Sequence, residues 1–323
     1  MLNLIQHPGG HPLSRNRIIA ICIALAVIVC AGLGAWAAKN GKYIGSAQCM
    51  TCHKDMHAAL IGGYNKTAHH AAMTDATKKP DAIVAVFDDS SPVKKADIKY
   101  VLGTGKVYQN YLDKDLKVLP GEWNVKDQKW VAIESVDGAT QCVGCHTTNF
   151  DPTAKTWTEL GVGCEGCHGP GGAHADSMDA ADINSLKKLD SKHKDMVCGQ
   201  CHSVGKDPTG KYAFPTTFVP GEELDKHFKL TEPGEHARNS QYNTFVTSKH
   251  YEGGMSCATC HDPHGDKAKA KPQLKQPVND QCLVCHKSTI GTLKSHAPSA
   301  AADATCATCH MVNGSHKFVK PSK

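Results

Sequence analysis

Fourteen of the sixteen cysteines in this 323-residue chain fall into one pattern, C-x-x-C-H, and the pattern occurs seven times. The sets are Cys49, Cys52 and His53; Cys142, Cys145 and His146; Cys164, Cys167 and His168; and Cys198, Cys201 and His202. Three more follow: Cys257, Cys260 and His261; Cys282, Cys285 and His286; and Cys306, Cys309 and His310. This is the attachment signature of a c-type haem. Two thiols one short turn apart reach the two vinyl groups of one porphyrin, and the adjacent histidine offers its imidazole to the iron as proximal ligand. Zinc ribbons pair C-x-x-C units without a histidine after every second cysteine. A disulfide framework does not demand one either. The seven repeats therefore predict seven haems c.

Composition agrees with an interior filled by something other than side chains. Aromatic residues make up 6% of the chain, while Gly and Pro number 29 and 16. Phe, Tyr and Trp normally supply much of a core's buried area. The expected fold class is mainly α with extensive irregular structure and a small β-hairpin region, a multihaem cytochrome c built around packed haems. Without its haems such a chain should not fold, because the porphyrins supply the buried apolar surface.

Residues 1–38 read as a targeting segment. Arg15 and Arg17 precede an apolar run from Ile18 to Leu33, and Ala35-Trp36-Ala37 offers small residues at the positions a signal peptidase reads. The stretch from Ile18 to Ala38 is also long enough for an uncleaved membrane anchor, and both readings stand. Cys22 and Cys30 lie inside it and read as small apolar residues. Either way the rest of the chain faces an oxidising compartment, periplasmic or extracellular. The net charge of +5 falls to +3 without Arg15 and Arg17, too weak a balance to imply nucleic acid.

Each iron needs a sixth ligand unless its site is open. After residue 38, and beyond the seven motif histidines, there remain His57, His69, His70, His174, His193, His227, His236, His250, His264, His296 and His316. Methionine is the other usual ligand and raises the potential. Histidine is in surplus, so bis-histidine iron at most or all sites is expected, with low potentials.

The motifs divide the chain into a four-haem region at 39–206, a proline-rich loop or linker at 207–235 and a three-haem region at 236–323. The long gap before Cys142 holds the strand-like stretches Tyr100–Leu102, Lys106–Leu112 and Trp130–Ile133, separated by turn signals. This hairpin region is expected to cover one side of the early haems. Helices are expected at Ala47–Gly62, Asp179–Lys194, Asn239–Tyr251 and Val278–Lys287.

Several blocks together resemble the multihaem cytochromes related to the tetrahaem carrier that accepts electrons from hydroxylamine oxidoreductase. They are Tyr43-Ile44-Gly45-Ser46 before Cys49, then Lys66-Thr67-Ala68-His69, and the run from Gly161 through Cys164, Glu165 and His168 to His174. Further on stand Gln241-Tyr242, Ser248-Lys249-His250, and Asp262-Pro263-His264-Gly265 after His261. Ser295-His296 and Gly314-Ser315-His316 flank the last motif. The resemblance implies distal ligands at His69, His174, His250, His264, His296 and His316. His236 completes the set of seven, with His193 and His227 as rivals. His69 rather than its neighbour His70 matches the family motif. The carrier has four haems and this chain seven motifs, so the haem arrangement does not transfer whole.

Electron transfer through the haems, without substrate chemistry, is the reading favoured. The partners would be redox proteins or a quinol oxidiser. Assembly of copies into an extracellular filament is a second reading. A reductase or oxidase with one open haem is a third. Related reductases often mark that haem with a C-x-x-C-K site, which this chain lacks.

Overall fold

Strand-forming residues between the first two motifs build more sheet than their pattern suggests. Five strands, β1 (Met73–Asp75), β2 (Tyr100–Leu102), β3 (Tyr108–Leu112), β4 (Gly121–Asn124) and β5 (Lys129–Ala132), form an antiparallel sheet in sequence order. Val101 pairs with Tyr111 and Trp123 with Trp130. Side chains alternate between faces, as the pleat requires. Val101, Tyr111 and Trp123 point into one cluster with Ala76, Val93 and Ile98. Leu102 and Leu112 point into the other with Met73, Leu116, Val118, Ala139 and Val143. Val143 lies between the cysteines of the second motif, so this face of the sheet packs directly on that motif. Strands β1 and β4 lack the β-branched runs that betray a strand. They were not expected from sequence.

The computed structural model describes residues 41–234 and 238–320, and Lys42 onward forms one compact unit. The targeting segment at 1–38 and the predicted ligand His236 lie outside the described residues. Among the described residues, no helix is long and apolar enough to cross a membrane.

The helices are short, and local chemistry decides where they break. The helix expected from Ala47 to Gly62 is two, Ser46–Met56 and Ala58–Tyr64, parted at His57 with φ −130 and ψ 35. The one expected from Asp179 starts only at Ser191 and runs to Gly199. There the Asp190 side chain accepts the His193 N–H and caps it. Before that lie only single turns at Ala180–Asp182 and Leu186–Lys188. The stretch from Asn239 to Tyr251 divides into Gln241–Phe245 and Lys249–Glu252, because Ser248 caps the second. Val278–Ile290 is continuous and ends at Gly291, whose φ of 67 suits glycine.

Residues 207–234 are irregular but not bare. Phe214, Phe218, Leu224 and Phe228 are buried, and the last three join Tyr242 in a third cluster. Short strands Gly205–Lys206 and Lys229–Leu230 close the segment on itself.

Candidate haem-binding site

Each C-x-x-C-H pair of thiols sits in or at the edge of a helical turn. The turns fall in Ser46–Met56, Val143–His146, Cys164–His168, Ser191–Gly199, Cys257–Cys260, Val278–Ile290 and Cys306–His310. All fourteen described cysteines are free of disulfides, as thioether attachment requires.

The motif histidines face other histidines at one recurrent spacing. Imidazole nitrogens bind a first-row metal at about 2.0 Å, so two rings sharing one ion have centres roughly 6 Å apart. His53 and His174 are 6.2 Å apart between ring centres, and His168 and His264 are 6.2 Å apart. His202 and His69 are separated by 5.9 Å, His261 and His316 by 6.3 Å. His286 and His250 stand at 6.0 Å, as do His310 and His296. Six motif histidines thus each meet one of the six described distal candidates. For His146, no described imidazole stands at that spacing.

The remaining histidines are occupied otherwise. His57 lies 5.3 Å from His53, too close for a shared ion. His70 packs edge-on against Tyr64. His193 bonds Asp190 through Nδ1 and Glu223 through Nε2, which holds its pKa above the ordinary value. His227 pairs with Thr217 and Glu222. Neither rival of His236 has a ring nitrogen to spare.

Tautomers are set by backbone carbonyls. Nδ1 donates to a carbonyl in His146 (Ala72, 2.8 Å), His168 (Asn184, 2.9 Å), His174 (Asp179, 2.8 Å) and His261 (Pro272, 2.9 Å). His310 donates likewise to Val319 at 2.8 Å and His316 to Gly314 at 3.0 Å. A carbonyl only accepts, so Nδ1 carries the proton and Nε2 keeps its lone pair for a metal. Burial also disfavours the charged form of several rings. It pulls the His69 pKa down to about 4, helped by His202 nearby, and lowers His53, His146, His202, His261, His264 and His316. These residues fit haem iron as a ligand set.

The motifs also touch one another. The Cys49 thiol lies near that of Cys164, Cys145 near Cys201, Cys198 near Cys257 and Cys282 near Cys306, and hydrogen bonds join the same motifs. Gln200 Nε2 donates to Gly166 O at 2.9 Å, tying the third motif to the fourth. The Cys260 and Cys285 thiols are close enough to interact electrostatically, which places the fifth motif near the sixth.

Glu165, between the cysteines of the third motif, was not singled out from sequence. It is buried, and its carboxylate accepts the backbone N–H groups of Ile44, Gly45 and Gly171 at 2.7–3.1 Å. A charged residue at a variable position inside C-x-x-C-H was the available signal.

Comparison with known proteins agrees with c-type haem binding. The family model for cytochrome c554 and c-prime matches residues 113–169, and the doubled CXXCH motif model matches 250–291. Cytochrome c-554 of Nitrosomonas europaea is 27% identical over 235 residues, covering 67% of this chain and 81% of that protein. The dissimilatory sulfite reductase MccA of Wolinella succinogenes is 30% identical over 211 residues, 53% of this chain. The match spans only 27% of that protein's length. Among solved structures, the outer cell wall cytochrome OcwA superposes with a TM-score of 0.69 at 22% identity, covering 85% of this chain and 79% of that one. The chain is a multihaem c-type cytochrome that resembles cytochrome c-554.

Proposed function

We propose that the chain binds seven haems c and conducts electrons along them, with bis-histidine iron throughout. The observation that carries this is the set of six imidazole pairs at 5.9–6.3 Å. The proposed ligand pairs, proximal first, are His53 with His174, His168 with His264, His202 with His69, His261 with His316, His286 with His250 and His310 with His296. His146 and His236 remain, and we pair them as the seventh. Bound haem supplies a one-electron iron couple. The protein's part is to hold Nδ1 of His146, His168, His174, His261, His310 and His316 on backbone carbonyls, which leaves Nε2 free, and to keep the motifs together.

Motif contacts suggest the route. The order first, third, fourth, fifth, sixth, seventh is continuous, and the second motif touches the fourth as a branch. The four-haem region at 39–206 and the three-haem region at 236–323 are two lengths of that route, joined across 207–235. We further propose export through the N-terminal segment, a periplasmic or extracellular setting, and redox proteins or a quinol oxidiser as partners. Low-temperature EPR of the oxidised holoprotein tests the ligation. Seven low-spin ferric haems per chain are expected, and several high-spin haems would overturn bis-histidine ligation.

A reductase reading has one point in its favour besides the sulfite reductase relative. His146 is the one motif histidine without a described imidazole opposite it. A single high-spin haem that H146A alone removes would favour that reading over pure conduction.

A further inference from the structure

Helix N-termini leave their first N–H groups without intrahelical partners. In three motif helices the cysteine that opens the helix has this N–H satisfied by a side chain from another motif. Cys164 N–H donates to Ser46 Oγ at 2.9 Å, Cys257 N–H to Asp195 Oδ1 at 2.8 Å and Cys306 N–H to Asn279 Oδ1 at 2.8 Å. Ser46, Asp195 and Asn279 share one position. Each stands three residues before the first cysteine of its own motif, namely Cys49, Cys198 and Cys282.

The recurrence has a geometric cause. Ser46 and Cys49 lie on one helix, as do Asp195 and Cys198, and Asn279 and Cys282. Residues three apart on a helix share a face. The capping side chain and the first thiol of one motif therefore reach the same neighbour together. Where the cap meets the backbone of the opposing first cysteine, the two first-cysteine thiols also lie near each other. The second motif takes no part. Ala139 holds the equivalent position, and Cys142 N–H goes to its own Gly138 O at 2.8 Å.

We propose that Ser46, Asp195 and Asn279 are positioning residues. Each caps the partner motif across a motif–motif contact and so fixes three haem pairs, first with third, fourth with fifth and sixth with seventh. This rests on the seven-haem reading. The caps set the distance and tilt within each pair, and electron exchange inside a pair depends on both. Asp195 is the most enclosed of the three, fully buried, with no partner on Oδ2. An amide nitrogen can take the Oδ2 place without breaking a bond.

The test compares D195A and D195N in the mature holoprotein by circular dichroism in the Soret band. Porphyrins held close at a fixed angle give a two-signed couplet there. Because the fourth–fifth pair is one of several motif contacts that contribute, D195A should lose a clear part of its amplitude, and D195N should keep it. S46A and N279A should each lose a similar share, and they carry the test if D195A does not mature. An unchanged couplet in the alanine variants, at full haem content, overturns the proposal. So does an equal loss in D195N, which would make charge rather than capping the cause. Haem content and complete reduction of the parent protein are read on the same samples. Their failure would count against the seven-haem reading, not the caps.

Discussion

His174 faces His53 across 6.2 Å, and Glu165 secures the backbone that leads to each of them. The carboxylate holds Ile44 and Gly45 at the entry to the His53 helix and Gly171 just before the helix Gly172–Ser177 that carries His174. One buried carboxylate in the third motif thus fixes the backbone on both sides of the His53–His174 pair.

Removing that charge should therefore be felt at a distant iron. E165A leaves two buried backbone donors, Gly45 and Gly171, and the half-buried one of Ile44 unpaired, and bonds to a charged group are worth about 1.5–3 kcal/mol each. EPR of the variant should show one haem turned high-spin, matching the spectrum of H174A. A fully low-spin E165A protein would sever the link.

His69 and His70 are neighbours in sequence with opposite fates. H69A should convert one haem to high-spin, since His69 stands 5.9 Å from His202. H70A should leave every haem low-spin, because His70 packs on Tyr64. The reverse pattern in EPR would reassign the ligand.

His193 offers a pH-dependent strap. The Asp190 carboxylate bonded to it, with Glu223 on the other nitrogen, raises its pKa in the folded state. The unfolded value is about 6.5. The strap's stabilisation is thus complete below about pH 6.5 and is lost as pH rises through the higher folded value. Urea midpoints of the parent and H193Q should differ at about pH 6 and converge at high pH. A gap that widens with pH would reverse the sign.

Phe228 is 2% exposed and packs with Phe218, Leu224 and Tyr242. F228A should cost about 3–5 kcal/mol in chemical denaturation of the holoprotein. A loss under about 1 kcal/mol would mean the segment after Asp207 is surface cover rather than core.

What the sequence disclosed follows from what its chemistry requires to be contiguous. Thioether attachment needs both cysteines and the histidine within one turn, so every motif was legible. Distal histidines need not lie near their iron in sequence. His69 stands beyond the first motif yet faces His202 of the fourth. Only the resemblance to known cytochromes pointed to such residues, and it did not give the pairing. Strand β4, with Gly121, Glu122 and Asn124, carries little strand propensity and is held by its neighbours β3 and β5. Ser46, Asp195 and Asn279 look like ordinary polar residues until the motif each one caps is brought beside it.

The central claim is a seven-haem conductor, and a reductive titration of the purified holoprotein tests it most directly. Stepwise addition of a quantified reductant, followed in the haem α-band, should consume seven electrons per chain. Consumption of six or fewer in a protein whose mass includes every haem, or a mass short of seven haems, would contradict it.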